Sequence, residues 1–230
     1  MNFIKKIYYN KYTKKSYSIS NVDLVIDRMF ASINKGIYVD VGCNHPIKFN
    51  NTYLLYKRGW NGINIDFDSK SIKEFKKYRP KDYSIKKIVS NDEEIKDVYI
   101  YHEKSAINTL SKDLVDYRKT KPKEIHKEKS TTLGKIIDES PFKEKKINLI
   151  SIDIENHEYE VLKNFDFDKY KVDVIVTEWT DITQNRLEIY NQSIDQIQKS
   201  KLYNLFVENN YKLINWVNSD LVFARRDFNI

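Results

Sequence analysis

Apolar positions along the chain fall into two kinds of run that take turns. Short continuous runs at Gly36–Val41, Gly62–Asp66, Ile147–Ile154 and Val172–Glu178 read as buried strands. Between them apolar residues recur every three or four positions. Val22, Val25, Ile26, Met29, Phe30 and Ile33 share one helical face over residues 21–34. The same spacing predicts helices over Thr52–Arg58, stopped by Gly59, and over Ser69–Tyr78, ending before Pro80. Tyr83–Val89 and Val98–Tyr101 are further strands, and helices follow near His157–Asn164 and Ser193–Asn209. Tyr211–Trp216 and Leu221–Arg225, joined by a short connection, close the chain as an antiparallel hairpin. Such alternation means βαβ crossovers, hence a mostly parallel sheet with helices on both faces, a doubly wound α/β fold. Residues 1–35 read as a basic helical extension, and 36–230 as one domain.

Composition narrows the setting. A chain of 230 residues that is 40% hydrophobic and 13% aromatic builds one good-sized core. The single cysteine, Cys43, excludes an internal disulfide and a multi-thiolate zinc site. No apolar run reaches the ~18 residues of a membrane span, and the N-terminus lacks a signal-peptide pattern. A soluble, cytoplasmic protein is expected. The net charge of +7 is concentrated: Lys5, Lys6, Lys11, Lys14 and Lys15 occupy residues 1–20 without an acid, and a second basic stretch runs from Arg118 to Lys129. Solvated surface is the plain reading. Ile4, Ile7, Tyr8 and Tyr12 also give the first segment a stripe suited to peripheral membrane contact. Nucleic acid is a less suitable partner, because no basic strand face is interleaved with aromatics.

Ligands of open α/β sheets sit at the carboxyl ends of the strands. Those ends carry Asp40 with Gly42, then Asp66, then Asp153 with Glu155, then Glu178. A dinucleotide loop needs several glycines so that backbone amides reach a pyrophosphate. Only Gly42 is present, followed by His45 and Pro46, so the pyrophosphate cradle is missing. A phosphate-free nucleoside needs less, and Asp66, 24 residues beyond Gly42, is spaced to bind ribose hydroxyls. If the ligand is also cationic, Asp40 has a use. S-adenosylmethionine meets all three conditions. A rival reading takes Asp66-Phe67-Asp68 as the D-x-D metal and nucleotide-sugar motif of a glycosyltransferase. A second rival is a non-catalytic basic module that binds nucleic acid or membrane.

The ordered set VDVGCNHPIKFNNTYLLYKRGWNGINID, KEKSTTLGKII, INLISIDIENHEYEVLKNFDF and NSDLVFARR resembles the FkbM family of S-adenosylmethionine-dependent methyltransferases over residues 36–226. The resemblance implies a seven-stranded Rossmann-like sheet and methyl transfer to a hydroxyl, commonly of a sugar, glycan or related small molecule. By the same resemblance Asp40, Gly42, Asn51, Thr52 and Asp66 form the cofactor site, and Asp153, Glu155, His157 and Glu158 the D-x-E-x-H-E motif. Asn156 replaces the usual glycine, which predicts a left-handed turn that asparagine tolerates.

A protonated hydroxyl is a poor nucleophile, so a general base is expected. His157 is the candidate, with Asp153 or Glu155 fixing its tautomer. Glu178 and His45 are candidates for acceptor binding. Two carboxylates and a histidine also make a ligand set for a divalent cation, though a motif this short does not require one. Residues 102–130 and 179–192 are the loops expected to shape the acceptor site.

Overall fold

The computed structural model describes residues 13–103, 105–179 and 193–229. Seven strands form the main sheet: β1 (Ile37–Val41), β2 (Asn61–Asp66), β3 (Tyr83–Lys86), β7 (Leu149–Ile152), β8 (Val174–Glu178), β9 (Tyr211–Val217) and β10 (Asp220–Arg225). Their spatial order is β3-β2-β1-β7-β8-β10-β9. β10 runs antiparallel to both neighbours, and the remaining pairs that join β3, β2, β1, β7 and β8 are parallel. The doubly wound α/β expectation and the closing hairpin are both met. Strand order reverses between β1 and β7, which is where such a sheet opens a crevice.

Alternation along the strands divides the core into two layers. Val39, Ile63, Ile150 and Ile175 face one side, where Leu133, Ile136, Val161 and Phe206 pack on them. Tyr38, Leu149, Val174 and Val176 face the other, against Val22, Ile26, Phe30, Leu55 and Trp60. The helix Val22–Met29 therefore contributes directly to one core layer. Towards the carboxyl edge the second face turns polar: Asn64, Asp40 and Ser151 stand in register on β2, β1 and β7.

Three elements depart from the pattern. Tyr83–Val89 breaks at Lys87; Tyr83–Lys86 joins the main sheet, and β4 (Ile88–Val89) is an edge of a separate three-stranded sheet. The second half of the basic stretch proves to be strand, most of β6 (Glu124–Thr131), paired antiparallel with β5 (Ile95–Ile100). Most of β6 is exposed, so it carries no apolar alternation to announce a strand. The helix expected over Ser193–Asn209 is two, Ile194–Lys199 and Lys201–Glu208, because the Ser200 hydroxyl caps the second by accepting the Tyr203 amide. The apolar stripe of residues 4–12 and the loop 180–192 lie outside the described residues. Among the described residues, no helix is long and apolar enough to cross a membrane.

Candidate active site

Gly42 ends β1 with φ +76°. A side chain here would place its Cβ 1.9 Å from the Asp153 carbonyl oxygen and 2.9 Å from Ile154 Cγ2. The glycine is thus required first by the close approach of the β1 and β7 ends. Its amide and that of Cys43 both donate to Ile65 O, at 2.9 and 3.2 Å, while the Asp153 amide donates to Val41 O at 3.0 Å. Three strand ends are clamped side by side, and three acids project from them.

Asp66 is tied down by backbone: its carboxylate accepts the Asn44 amide at 2.8 Å and the Asp68 amide at 2.8 Å. Burial outweighs these bonds and pushes its pKa up to about 6. Asp68 caps the helix Ser69–Tyr78, accepting the Lys70 and Ser71 amides. Both acids of the D-x-D sequence therefore serve local backbone, which the glycosyltransferase reading does not explain.

Asp40 and Thr52 are buried. The Asp40 carboxylate accepts from Thr52 Oγ1 at 2.7 Å and from Asn50 Nδ2 at 2.9 Å. Thr52 is wholly buried and gives the following helix no side-chain cap, because its hydroxyl is spent on this network. Arg79, also wholly buried, completes it: Nη1 donates to Thr52 Oγ1 at 2.8 Å, Nη2 to Asn50 Oδ1 at 2.6 Å and Nε to Pro46 O at 2.7 Å. The rings of Tyr53, Tyr56 and Phe75 surround the guanidinium. Burial raises the Asp40 pKa and the Arg79 charge opposes it. Asn51 donates to Ser151 Oγ at 3.2 Å, so the Asn50–Thr52 segment is bonded across the polar row of β1 and β7.

The last strand ends bring carboxylates together. Oxygens of Asp153, Glu155 and Glu178 lie within 4.8 Å of one another. β7 stops at Ile152, so Glu155 reaches its place through a turn rather than a strand: Glu155 and Asn156 have φ of 58° and 68°. The left-handed turn expected at Asn156 is present. Asp153 is crowded by protein yet open to the cleft; burial and then the Glu155 charge push it up to about 7. Glu178 stands beside Asp153, and burial raises its pKa well above the usual range. Arg118, from the basic stretch, turns inward and pairs with Glu155. A hard cation takes such oxygen ligands, so these three residues are the described set able to hold one.

His157 and His45 stand apart. The imidazole Nε2 of His157 lies 3.1 Å from Ser90 Oγ, and neither Asp153 nor Glu155 bonds the ring. The left-handed pair at 155–156 swings the chain away before His157 is reached, so the expected carboxylate-held imidazole is absent. Burial lowers the His157 pKa to about 4. His157 lines a neighbouring hollow with Glu178, Trp179 and Ser111. His45 Nδ1 accepts the Ile47 and Lys48 amides, which closes its own loop.

Two hollows meet at Gly42 and Asp153. One, beside Asp66, is lined by Asn44, Phe67, Ser71 and Asn108; the other, beside Asp40, by Asn51, Glu178 and Asp220. Among the described residues lining either, none is Lys, Arg or His. That donor set fits a cationic, phosphate-free nucleoside and repels a pyrophosphate. The buried Ser71 hydroxyl has no hydrogen-bond partner, which leaves a polar group for a base or ribose to satisfy. Asp220, Arg118, Arg79 and Asn50 were not singled out by sequence. Asn50 had a signal as the neighbour of Asn51 in the Asn-Asn-Thr run, Asp220 as part of NSDLVFARR and Arg118 as the start of the basic stretch; Arg79 had none.

A solved structure of a candidate type 11 methyltransferase from Sulfolobus solfataricus matches with 12% identity and a TM-score of 0.37, over 87% of this chain and 89% of the other. No curated protein matches. Residues 40–205, well over half of the chain, match the family model of the methyltransferase FkbM domain. The run from the first strand-end acid to the second half of the split helix therefore belongs to the FkbM methyltransferase family.

Proposed function

We propose that this protein transfers a methyl group from S-adenosylmethionine to a hydroxyl of a sugar, glycan or related small molecule, with Asp153 as the proton acceptor. The observation that carries the reading is the position of Asp153, shared by both acid-lined hollows at the point where strand order reverses.

Asp66 and the Ser71 hydroxyl would hold the nucleoside end, with Phe67 against the base. S-adenosylmethionine, when bound, supplies an electrophilic methyl carbon. Methyl transfer from a sulfonium is an in-line displacement, so positioning carries much of the rate. The residues at the junction of the hollows supply position and a proton sink. A pKa near 7 leaves Asp153 able to take a proton from an acceptor hydroxyl close to neutral pH. The Glu178 carboxyl, within 4.8 Å of Asp153, would position it. Arg118 holds Glu155, so that Glu155 stays at the rim. His157, neutral and bonded to Ser90, is better suited to shaping the neighbouring wall than to taking the proton.

Two measurements test this. Calorimetry should show binding of S-adenosylhomocysteine, lost in Asp66→Ala, and no binding of a nucleotide sugar with manganese. With radiolabelled S-adenosylmethionine and fractionated cell extracts, Asp153→Asn should abolish transfer to the responsive fraction while His157→Ala retains most of it. The reverse order would return the base assignment to His157.

A further inference from the structure

The hollow beside Asp40 has an apolar wall that the fold does not need. Phe49 is 56% exposed and Ile19 69% exposed, both at its edge. Large apolar side chains left in water are ordinary singly, but two together on the rim of a site mark a binding surface. Phe49 is also held at φ 54°, a conformation bulky residues avoid. The neighbouring bonds set that angle: the Asn50 side chain reaches back to Asp40 at 2.9 Å and to Cys43 O at 3.3 Å, while the Asn50 amide donates to Tyr17 O at 3.1 Å. The ring is thereby turned outward, where Lys48 Nζ lies 4.4 Å from its centroid and more than half of the residue's surface stays open.

Opposite this wall the floor is acidic. Asp153, Glu178 and Asp220 line the hollow together with Asn51 and Ser219, and no described lining residue is basic. Burial pushes Asp220 up to about 6, and Ser20 donates to its carboxylate. An aromatic face across from hydrogen-bonding acids fits a ring with an apolar face and hydroxyls at its edge. Of these acids Asp220, pushed only to about 6, is ionised at neutral pH and repels a ring that carries carboxylate or phosphate, since like charges across a poorly solvated gap cost affinity.

We infer that Phe49, with Ile19, is the platform on which the acceptor ring rests, and that the hollow selects uncharged or cationic acceptors over anionic ones. This rests on the hydroxyl-methylation reading above and adds to it a positioning residue and a charge rule.

Saturation-transfer NMR on the full chain tests it with a mixture of neutral methyl hexosides, hexosamines, hexuronates and hexose 6-phosphates, each with and without S-adenosylhomocysteine. Neutral or amino members should show transfer and the anions none. Phe49→Gly, which relieves the left-handed backbone and so should fold, should weaken binding roughly three- to tenfold, the worth of one aromatic contact. Phe49→Trp should restore it. The inference is overturned if no neutral or amino member binds, if anions bind equally well, or if Phe49→Gly binds as wild type does. Calorimetry with S-adenosylhomocysteine on the same samples separates the two readings. Cofactor binding without sugar binding removes the platform and leaves the methyltransferase site, whereas loss of cofactor binding strikes the site while the sugar signals still judge Phe49.

Discussion

Gly42→Ala and Gly59→Ala form a matched pair in one molecule. Both glycines have positive φ, +76° and +94°, so alanine at either pays the left-handed cost of about 1–2 kcal/mol. At Gly59 nothing lies within 4 Å of the added Cβ, and the cost stops there. At Gly42 the Cβ would meet backbone, the Asp153 carbonyl at 1.9 Å, and backbone cannot rotate aside as a side chain can. The ends of β1 and β7 must part, which loosens the bonds Asp153 N to Val41 O and Gly42 N to Ile65 O. At about 0.5–1.5 kcal/mol each, these bring the expected loss to about 2–5 kcal/mol. Urea denaturation of both variants reads the difference, with slopes compared to confirm a common unfolded state. Gly42→Ala should also lose S-adenosylhomocysteine binding, whereas Gly59→Ala should keep it. Equal destabilisation of the two variants would refute the close-approach account of Gly42.

Other expectations follow from the buried charges. Burial pushes Glu158 up to about 8 and Asp153 up to about 7, so the folded state keeps protons that the unfolded chain has released above its ordinary carboxylate range. That contribution to stability is full at low pH and is lost as pH rises through 7 to 8. His157, held near 4 by burial, acts in the opposite sense, but only below about 6.5. The melting temperature of the ligand-free protein should therefore fall between pH 6.5 and 8, and a rise across that window would contradict the carboxylate assignment. Arg79→Met should cost about 3–5 kcal/mol, because it strips the buried network of its only guanidinium fork, and Arg79→Lys should rescue little of it. Chemical denaturation of the two variants checks this. S-adenosylmethionine binding should tighten from pH 5.5 to 7.5 as Asp66, pushed by burial to about 6, ionises; an unchanged affinity in calorimetry would argue against Asp66 as a ligand.

The sequence determined the layers and the edge. Continuous apolar runs alternating with helical stripes leave one economical arrangement, a parallel sheet covered on both faces, and the acids at the run ends then share its carboxyl edge. Asp40, Asp66, Asp153 and Glu178 were legible for that reason. Tertiary structure decided which of them face the cleft and which face the interior. Thr52 opens a helix in sequence, yet its hydroxyl belongs to Asp40 and Arg79. Arg79 itself sits in a lysine-rich stretch with nothing to distinguish it from solvated neighbours, and only folding closes three aromatic rings around it. His157 was two residues from Glu155 along the chain, but two left-handed residues in succession turned it towards Ser90. Spacing fixes the side on which a residue falls only while the backbone stays regular. The carboxylate cluster begins where β7 ends, so its partners were set by turns and by contacts distant in sequence.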